Sequence, residues 1–204
     1  MRKDNREMIK VGLVGLGFIG RIHLIRFLAS EKAELVAVAD RDVERLISAA
    51  AEGNAHPALA PLEIPERVAV FHSLDDMLAG ADVDMLDICL PTFLHAEATV
   101  RAAQAGKHVL CEKPMALTLA QSQAMIDAAR ANGVQFMIAQ CTRFWPGYTY
   151  LKDVYDSGRL GMLQSLNMRR MAAPPTWSWE AWLLSAKSSG GAIVDLHIHD
   201  VDFI

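Results

Sequence analysis

The apolar run Val11-Gly12-Leu13-Val14 leads directly into Gly15-Leu16-Gly17-Phe18-Ile19-Gly20. A helical pattern follows, with Ile22, Ile25, Phe27 and Leu28, and a second apolar run over 35–39 ends on Asp40. Strand, Gly-x-Gly-x-x-Gly turn, helix, strand and then an acid about 20 residues past the last glycine form the pattern of a dinucleotide-binding βαβ unit. Each residue type has a physical reason. Gly15 permits the tight turn, Gly17 lets the backbone approach a pyrophosphate, and Gly20 lets the helix lie close to the strand. The helix opens at Phe18 and Ile19, where backbone donors and the positive end of the dipole suit phosphate. Asp40 suits ribose hydroxyls as an acceptor and repels a 2′-phosphate, which favours NAD. The guanidinium of Arg41 is suited to a 2′-phosphate or to stacking on adenine, which leaves NADP open as a second cofactor.

At 204 residues there is room for one full domain and part of another. The chain is 52% hydrophobic and 22% charged, so it forms a core. A net charge of −4 with no basic stripe argues against nucleic acid or an anionic membrane as partner. The apolar runs are too short and too broken by glycine for a signal peptide or a membrane span, and the expected compartment is the cytoplasm. Cys89, Cys111 and Cys141 show neither Cys-x-x-Cys nor zinc spacing. Buried, reduced thiols and no metal centre are expected.

Strand and helix patterns alternate from Lys10 to about Gln140. After the first unit, helices are expected over 42–51, from Ser73, over 95–105 and over 118–131. Strands are expected over 68–71, 85–90, 109–111 and 134–139, with a loop at Pro57, Pro61 and Pro65. Continuous apolar strands with helices between them imply an α/β fold, a doubly wound parallel sheet covered on both faces. Beyond Gln140 the pattern changes. A helix is expected over 151–157, a strand with one solvated face over 163–171, and a loop carrying Trp177, Trp179 and Trp182. A boundary near Gln140 divides the chain into residues 1–140 and 141–204.

Two motifs bear on chemistry. Cys111-Glu112-Lys113-Pro114 closes a strand, and doubly wound sheets bind ligands beyond the carboxyl ends of their strands. Lys113 therefore stands at the cleft, able to hold a substrate hydroxyl or carbonyl. The second motif is Asp195-Leu196-His197-Ile198-His199. On a helix, Asp195 and His199 share a face, and a carboxylate beside an imidazole makes a general base. On a strand, His197 and His199 share a face instead, as metal ligands of a hydrolase do. The residue pattern leaves both open. His23, His56, His72 and His108 read as structural or solvated.

The glycine turn, Leu90-Pro91-Thr92 with His95, Glu112-Lys113-Pro114, Arg143-Phe144, and Gly190-Gly191 with Asp195 and His199 occur in one order along almost the whole chain. In these motifs the chain resembles the Gfo/Idh/MocA family of NAD(P)-dependent dehydrogenases, which includes glucose–fructose oxidoreductase and inositol dehydrogenase. The resemblance implies an N-terminal Rossmann domain and a C-terminal α+β domain. It implies a catalytic group of Lys113, Asp195 and His199, with Glu112 on the nicotinamide-side ribose and Pro91, Thr92 and His95 lining the same site. It favours the helical reading of the last motif and leaves His197 a bystander. The implied reaction is hydride transfer between NAD and a small polyol or sugar-like substrate in a homo-oligomer. His199 would take the hydroxyl proton, Asp195 would orient His199, and Lys113 would stabilise the carbonyl oxygen. Family members continue into a larger C-terminal sheet, of which only one strand is expected here. The C-terminal domain is therefore expected to be incomplete, and a non-catalytic NAD(H)-binding fragment or regulator stands as the alternative function.

Overall fold

The computed structural model describes residues 8–44, 63–176 and 178–204. Most of the helix expected over 42–51, together with Pro57, Pro61 and Trp177, lies outside the described residues. Six strands, β1 (Ile9–Val14), β2 (Ala33–Ala39), β3 (Ala69–Phe71), β4 (Met85–Ile88), β5 (His108–Glu112) and β6 (Phe136–Ala139), form one sheet in the order β3-β2-β1-β4-β5-β6. Every pairing is parallel. The order reverses between β1 and β4, which opens a crevice above their carboxyl ends. This is the doubly wound Rossmann sheet expected from the alternation of apolar strands and helices.

The helices that cover the sheet are α1 (Phe18–Leu28), α2 (Leu74–Gly80), α3 (Thr92–Gln104) and α4 (Leu119–Ala131). Their starts follow local chemistry. The Ser73 hydroxyl accepts the Asp76 N–H at the head of α2, and Thr118 with Gln121 forms a reciprocal capping box on α4. The α3 helix begins three residues before the expected position, because Pro91 serves as its cap. Two apolar layers result. Val11, Leu13, Leu24, Leu35 and Val38 pack on one side of the sheet. Val14, Ala37, Met77, Leu86, Ile88, Ala102 and Met125 pack on the other. Leu35 and Val38 share a side despite their odd spacing because the β1–β2 register shifts between Val11 and Gly12.

Beyond the sheet, a short 3-10 turn over Cys141–Phe144 leads to α5 (Pro146–Asp156). This helix starts five residues earlier than expected, since proline is well placed in a first helical turn. The strand expected over 163–171 does not form. Among the described residues no neighbouring strand offers it a ladder, and a lone strand leaves its backbone groups unpaired. Arg170 anchors that segment instead, donating to Asp200 at 2.8 Å and to the Tyr148 hydroxyl at 2.7 Å. A 3-10 stretch over Trp179–Leu184 precedes α6 (Ala186–Ser189), α7 (Gly191–Asp195) and α8 (Ile198–Phe203). The helical reading of the Asp195 motif holds as two short helices joined through Leu196 and His197, both in right-handed helical conformation. Among the described residues, no helix is long and apolar enough to cross a membrane.

The glycine turn meets the sheet tightly. Gly15 has φ of +95°, and a Cβ there would lie 2.6 Å from the Cys89 carbonyl oxygen. A Cβ on Gly20 would lie 1.9 Å from the Gly15 carbonyl oxygen, whereas one on Gly17 would meet nothing within 4 Å. Gly20→Ala should cost about 3 kcal/mol in urea unfolding, the upper range for inserting a methyl into packed structure. Gly17→Ala should cost about 1 kcal/mol or less. Equal losses for the two would contradict these different surroundings.

Candidate active site

The parallel sheet gathers the expected cofactor residues along one edge. The turn from Gly15 to Gly20 follows β1, Asp40 follows β2, Pro91 and Thr92 follow β4, and Glu112 ends β5. Gly17 caps α1 without any side-chain acceptor and is exposed. The helix therefore presents backbone rather than a side chain to the crevice, and the space over Gly17 is clear. That is the cradle a pyrophosphate requires. Asp40 does more than the motif suggested. One carboxylate oxygen accepts the Leu16 N–H at 2.8 Å and the other accepts the Asp42 N–H at 3.0 Å. Asp40 thus braces the glycine turn against the end of β2, and each oxygen keeps a further lone pair for a ribose hydroxyl.

Arg41 is engaged elsewhere. Its guanidinium lies 4.1 Å over the Trp179 ring and 3.9 Å from a Glu180 carboxylate oxygen. A cation–aromatic contact of this kind stabilises by about 0.5–1 kcal/mol at an exposed site. His95 and Thr92 sit behind the crevice rather than on its surface, both at most 2% exposed. The His95 ring lies between two backbone carbonyls, with Nε2 2.7 Å from Leu90 O and Nδ1 2.8 Å from Pro114 O. It ties the loop after β4 to the loop after β5. Burial holds its pKa below the ordinary value against the pull of both carbonyls.

The catalytic candidates come together from distant parts of the chain. Lys113 Nζ donates to the Asp195 backbone carbonyl at 2.8 Å and to its carboxylate at 3.1 Å. Two of its three N–H groups are thereby used, leaving one for a ligand. The expected orientation of His199 by Asp195 is not what the carboxylate does, since it turns to Lys113. His199 is half-buried, and its Nδ1 has no hydrogen-bond partner. Burial, together with the positive charges of Lys113 and Arg170, lowers the His199 pKa below its ordinary value. Nδ1 is itself buried, so a neutral imidazole here can accept a proton only at a ring nitrogen that a ligand can reach. His197 pairs with Asp200 at 3.3 Å and does not join this group.

Residues that the motifs did not single out complete the floor of the crevice. His23 of α1 lies 2.7 Å from Asp87 on β4 and 3.2 Å from Glu112 on β5. Arg170 supplies part of the field on His199. The one sign of this floor in the sequence is Asp87, a carboxylate inside a buried apolar strand. Cys89 and Cys111 are buried and free as expected, with burial pushing both thiols up. Cys141 is exposed, contrary to expectation, because it opens the 3-10 turn at the end of β6.

Residues 9–140 match the family model for the GFO/IDH/MocA oxidoreductases, described as an oxidoreductase family with an NAD-binding Rossmann fold. Residues 148–204 match the GFO/IDH/MocA C-terminal domain. A levoglucosan dehydrogenase from Pseudarthrobacter phenanthrenivorans is 32% identical over 203 residues, covering 96% of this chain and 50% of that enzyme. An inositol 2-dehydrogenase from Rhizobium meliloti is 31% identical, covering 95% of this chain and 53% of that enzyme. A crystal structure of scyllo-inositol dehydrogenase from Lactobacillus casei, with bound NAD(H) and scyllo-inositol, superposes with a TM-score of 0.63 at 28% identity. It covers 76% of this chain and 43% of that one. The chain spans about half the length of the curated relatives it matches.

The lowered pKa of His199 has a direct check. An NMR titration of its ring should give a midpoint below about 6.5, the unperturbed value. Lys113→Met, which removes one of the two nearby positive charges, should raise that midpoint. A midpoint unmoved by the substitution would show that Lys113 does not act on His199.

Proposed function

The chain belongs to the Gfo/Idh/MocA family of oxidoreductases, and we propose that it carries the cofactor site and catalytic group of a dehydrogenase acting on a polyol or sugar-like alcohol. The observation that carries this reading is the Lys113 ammonium, clasped by Asp195 and acting on the half-buried His199 at the rim of an NAD-type crevice. The glycine turn would hold the pyrophosphate, and Asp40 and Glu112 would accept from the two riboses. Bound there, the nicotinamide supplies a hydride acceptor. His199 takes the proton of the substrate hydroxyl. The third N–H of Lys113 donates to the same oxygen as it becomes a carbonyl, and Asp195 keeps the ammonium on that oxygen. Acid–base assistance of this kind contributes about 10²–10⁴-fold.

NAD is the preferred cofactor on two grounds. Asp40 repels a 2′-phosphate, and Arg41 is occupied by Trp179 and Glu180. Two relatives are named as dehydrogenases of inositol and of levoglucosan, which supports a substrate of a related class. We read the chain as a 1–140 cofactor unit and a 141–204 part of a substrate domain, in a cytoplasmic homo-oligomer. Exposed apolar side chains such as Phe144, Leu160, Met162 and Ile193 support an assembly that buries them.

NADH should bind at least tenfold tighter than NADPH in a fluorescence titration, and equal affinities would remove the discrimination assigned to Asp40. Lys113→Ala should leave NADH binding within about twofold while lowering turnover by about 10²-fold or more in an active form screened on polyols and sugars. Undiminished turnover in that variant would refute the role of Lys113.

A further inference from the structure

His23 lies between two carboxylates on neighbouring strands, and the reaction proposed above gives it no part. Its Nδ1 is 2.7 Å from Asp87 Oδ2 and its Nε2 is 3.2 Å from Glu112 Oε1. Asp87 is fully buried, and its other oxygen has no partner. The second oxygen of Glu112 accepts the Lys113 backbone N–H at 3.0 Å. A continuous path therefore runs from Asp87 through His23 and Glu112 to the turn that aims Lys113. Without a positive charge between them, two carboxylates would face one another across a poorly solvated floor. One would take up a proton or Glu112 would swing away.

We propose that His23 is a positioning residue for the cofactor: as an imidazolium it neutralises Asp87 and fixes the Glu112 carboxylate, and with it the Lys113 turn, at the ribose side of the crevice. The proposal rests on the NAD-site reading above. Two carboxylates and one imidazolium leave one net negative charge, which Glu112 can offer to ribose hydroxyls. Burial opposes the charge on His23 and also raises the Asp87 pKa, but the hydrogen bonds and charge attraction from His23 to Asp87 and Glu112 outweigh burial on His23 and push its pKa up to about 10. The groups facing the ring are Asp87 and Cys89 from the β4 side and Glu112 from the β5 side. The Cys89 thiol is held neutral by burial. His23 Nδ1, Asp87 Oδ2 and Cys89 Sγ lie within 4.8 Å of one another, a spacing a metal ion would accept. The 2.7 Å separation of the first two is that of a charge-assisted hydrogen bond, so a proton accounts for it.

Because the folded pKa is raised, the His23 contribution is complete below about pH 6.5, its unfolded value, and disappears as pH rises through about 10. The test is NADH titration and urea unfolding of the 204-residue chain between pH 6 and 10.5, with His23→Gln and the double variant His23→Gln/Asp87→Asn. The unsubstituted chain should bind NADH with constant affinity near neutrality and lose affinity and stability toward pH 10. His23→Gln should bind about tenfold more weakly at neutral pH, the effect of losing a hydrogen bond to a charged group. The double variant removes one charge of each sign, so it should fold even where the single one does not. Its stability and affinity should lack the alkaline step. An alkaline step with the original midpoint in the double variant would overturn the proposal, as would unchanged NADH affinity in His23→Gln. Stoichiometric zinc in the purified protein, lost on His23→Gln, would also overturn it. Absence of NADH binding to the unsubstituted chain would instead defeat the cofactor reading on which it rests.

Discussion

The way β1 ends governs the crevice. The Gly15 N–H donates to the Ala39 carbonyl and the Cys89 N–H donates to the Val14 carbonyl, both at 2.8 Å. These bonds seat the glycine turn between β2 and β4, where the strand order reverses. The positive φ of Gly15 then throws the chain across the sheet edge. Gly20 must lie against the Gly15 carbonyl for α1 to start there. Asp40 locks the arrangement from β2 through the Leu16 N–H. Because all six strands run parallel, the loops carrying Asp40, Pro91 and Glu112 emerge at the same edge as this turn. A helix N-terminus, two carboxylates and a lysine thus share one crevice as a consequence of topology.

The C-terminal helices bring a second set of charges to that edge. Lys113 and Asp195 are 82 residues apart, and their contact joins the parallel sheet to α7. The link distributes roles differently from a carboxylate–imidazole pair. Asp195 holds the ammonium, and His199 is left neutral under two positive charges with one ring nitrogen unclaimed. Arg170, held by Asp200 and Tyr148, adds to that field from a segment with no regular structure. The base strength of His199 is accordingly a property of its surroundings rather than of any one partner.

Much of the fold was legible because a buried parallel strand needs a continuous apolar run and a covering helix needs its caps, and both are local. The errors were also local in origin. The helix expected from residue 151 begins at Pro146, since only the first turn tolerates proline without losing a hydrogen bond. The alternation over 163–171 looked like a strand, but a strand exists only where a neighbour completes its ladder. Among the site residues, His95 stood in the right motif, and the fold buries it behind the crevice as a clamp on two loops.

The sequence by itself determined that this chain winds a parallel sheet around a dinucleotide turn, and spacing, apolar runs and glycines are enough for that, because they act over one strand or one helical turn. The grouping of Lys113, Asp195 and His199 came from the resemblance of the motifs to a dehydrogenase family. Only the tertiary structure decided what each charge faces. It gave Asp195 to Lys113, occupied Arg41 with Trp179, and set His23 between Asp87 and Glu112. The physical reason is that charge pairing and desolvation depend on distance in space, and the partners come from separate strands and helices whose proximity no local pattern records.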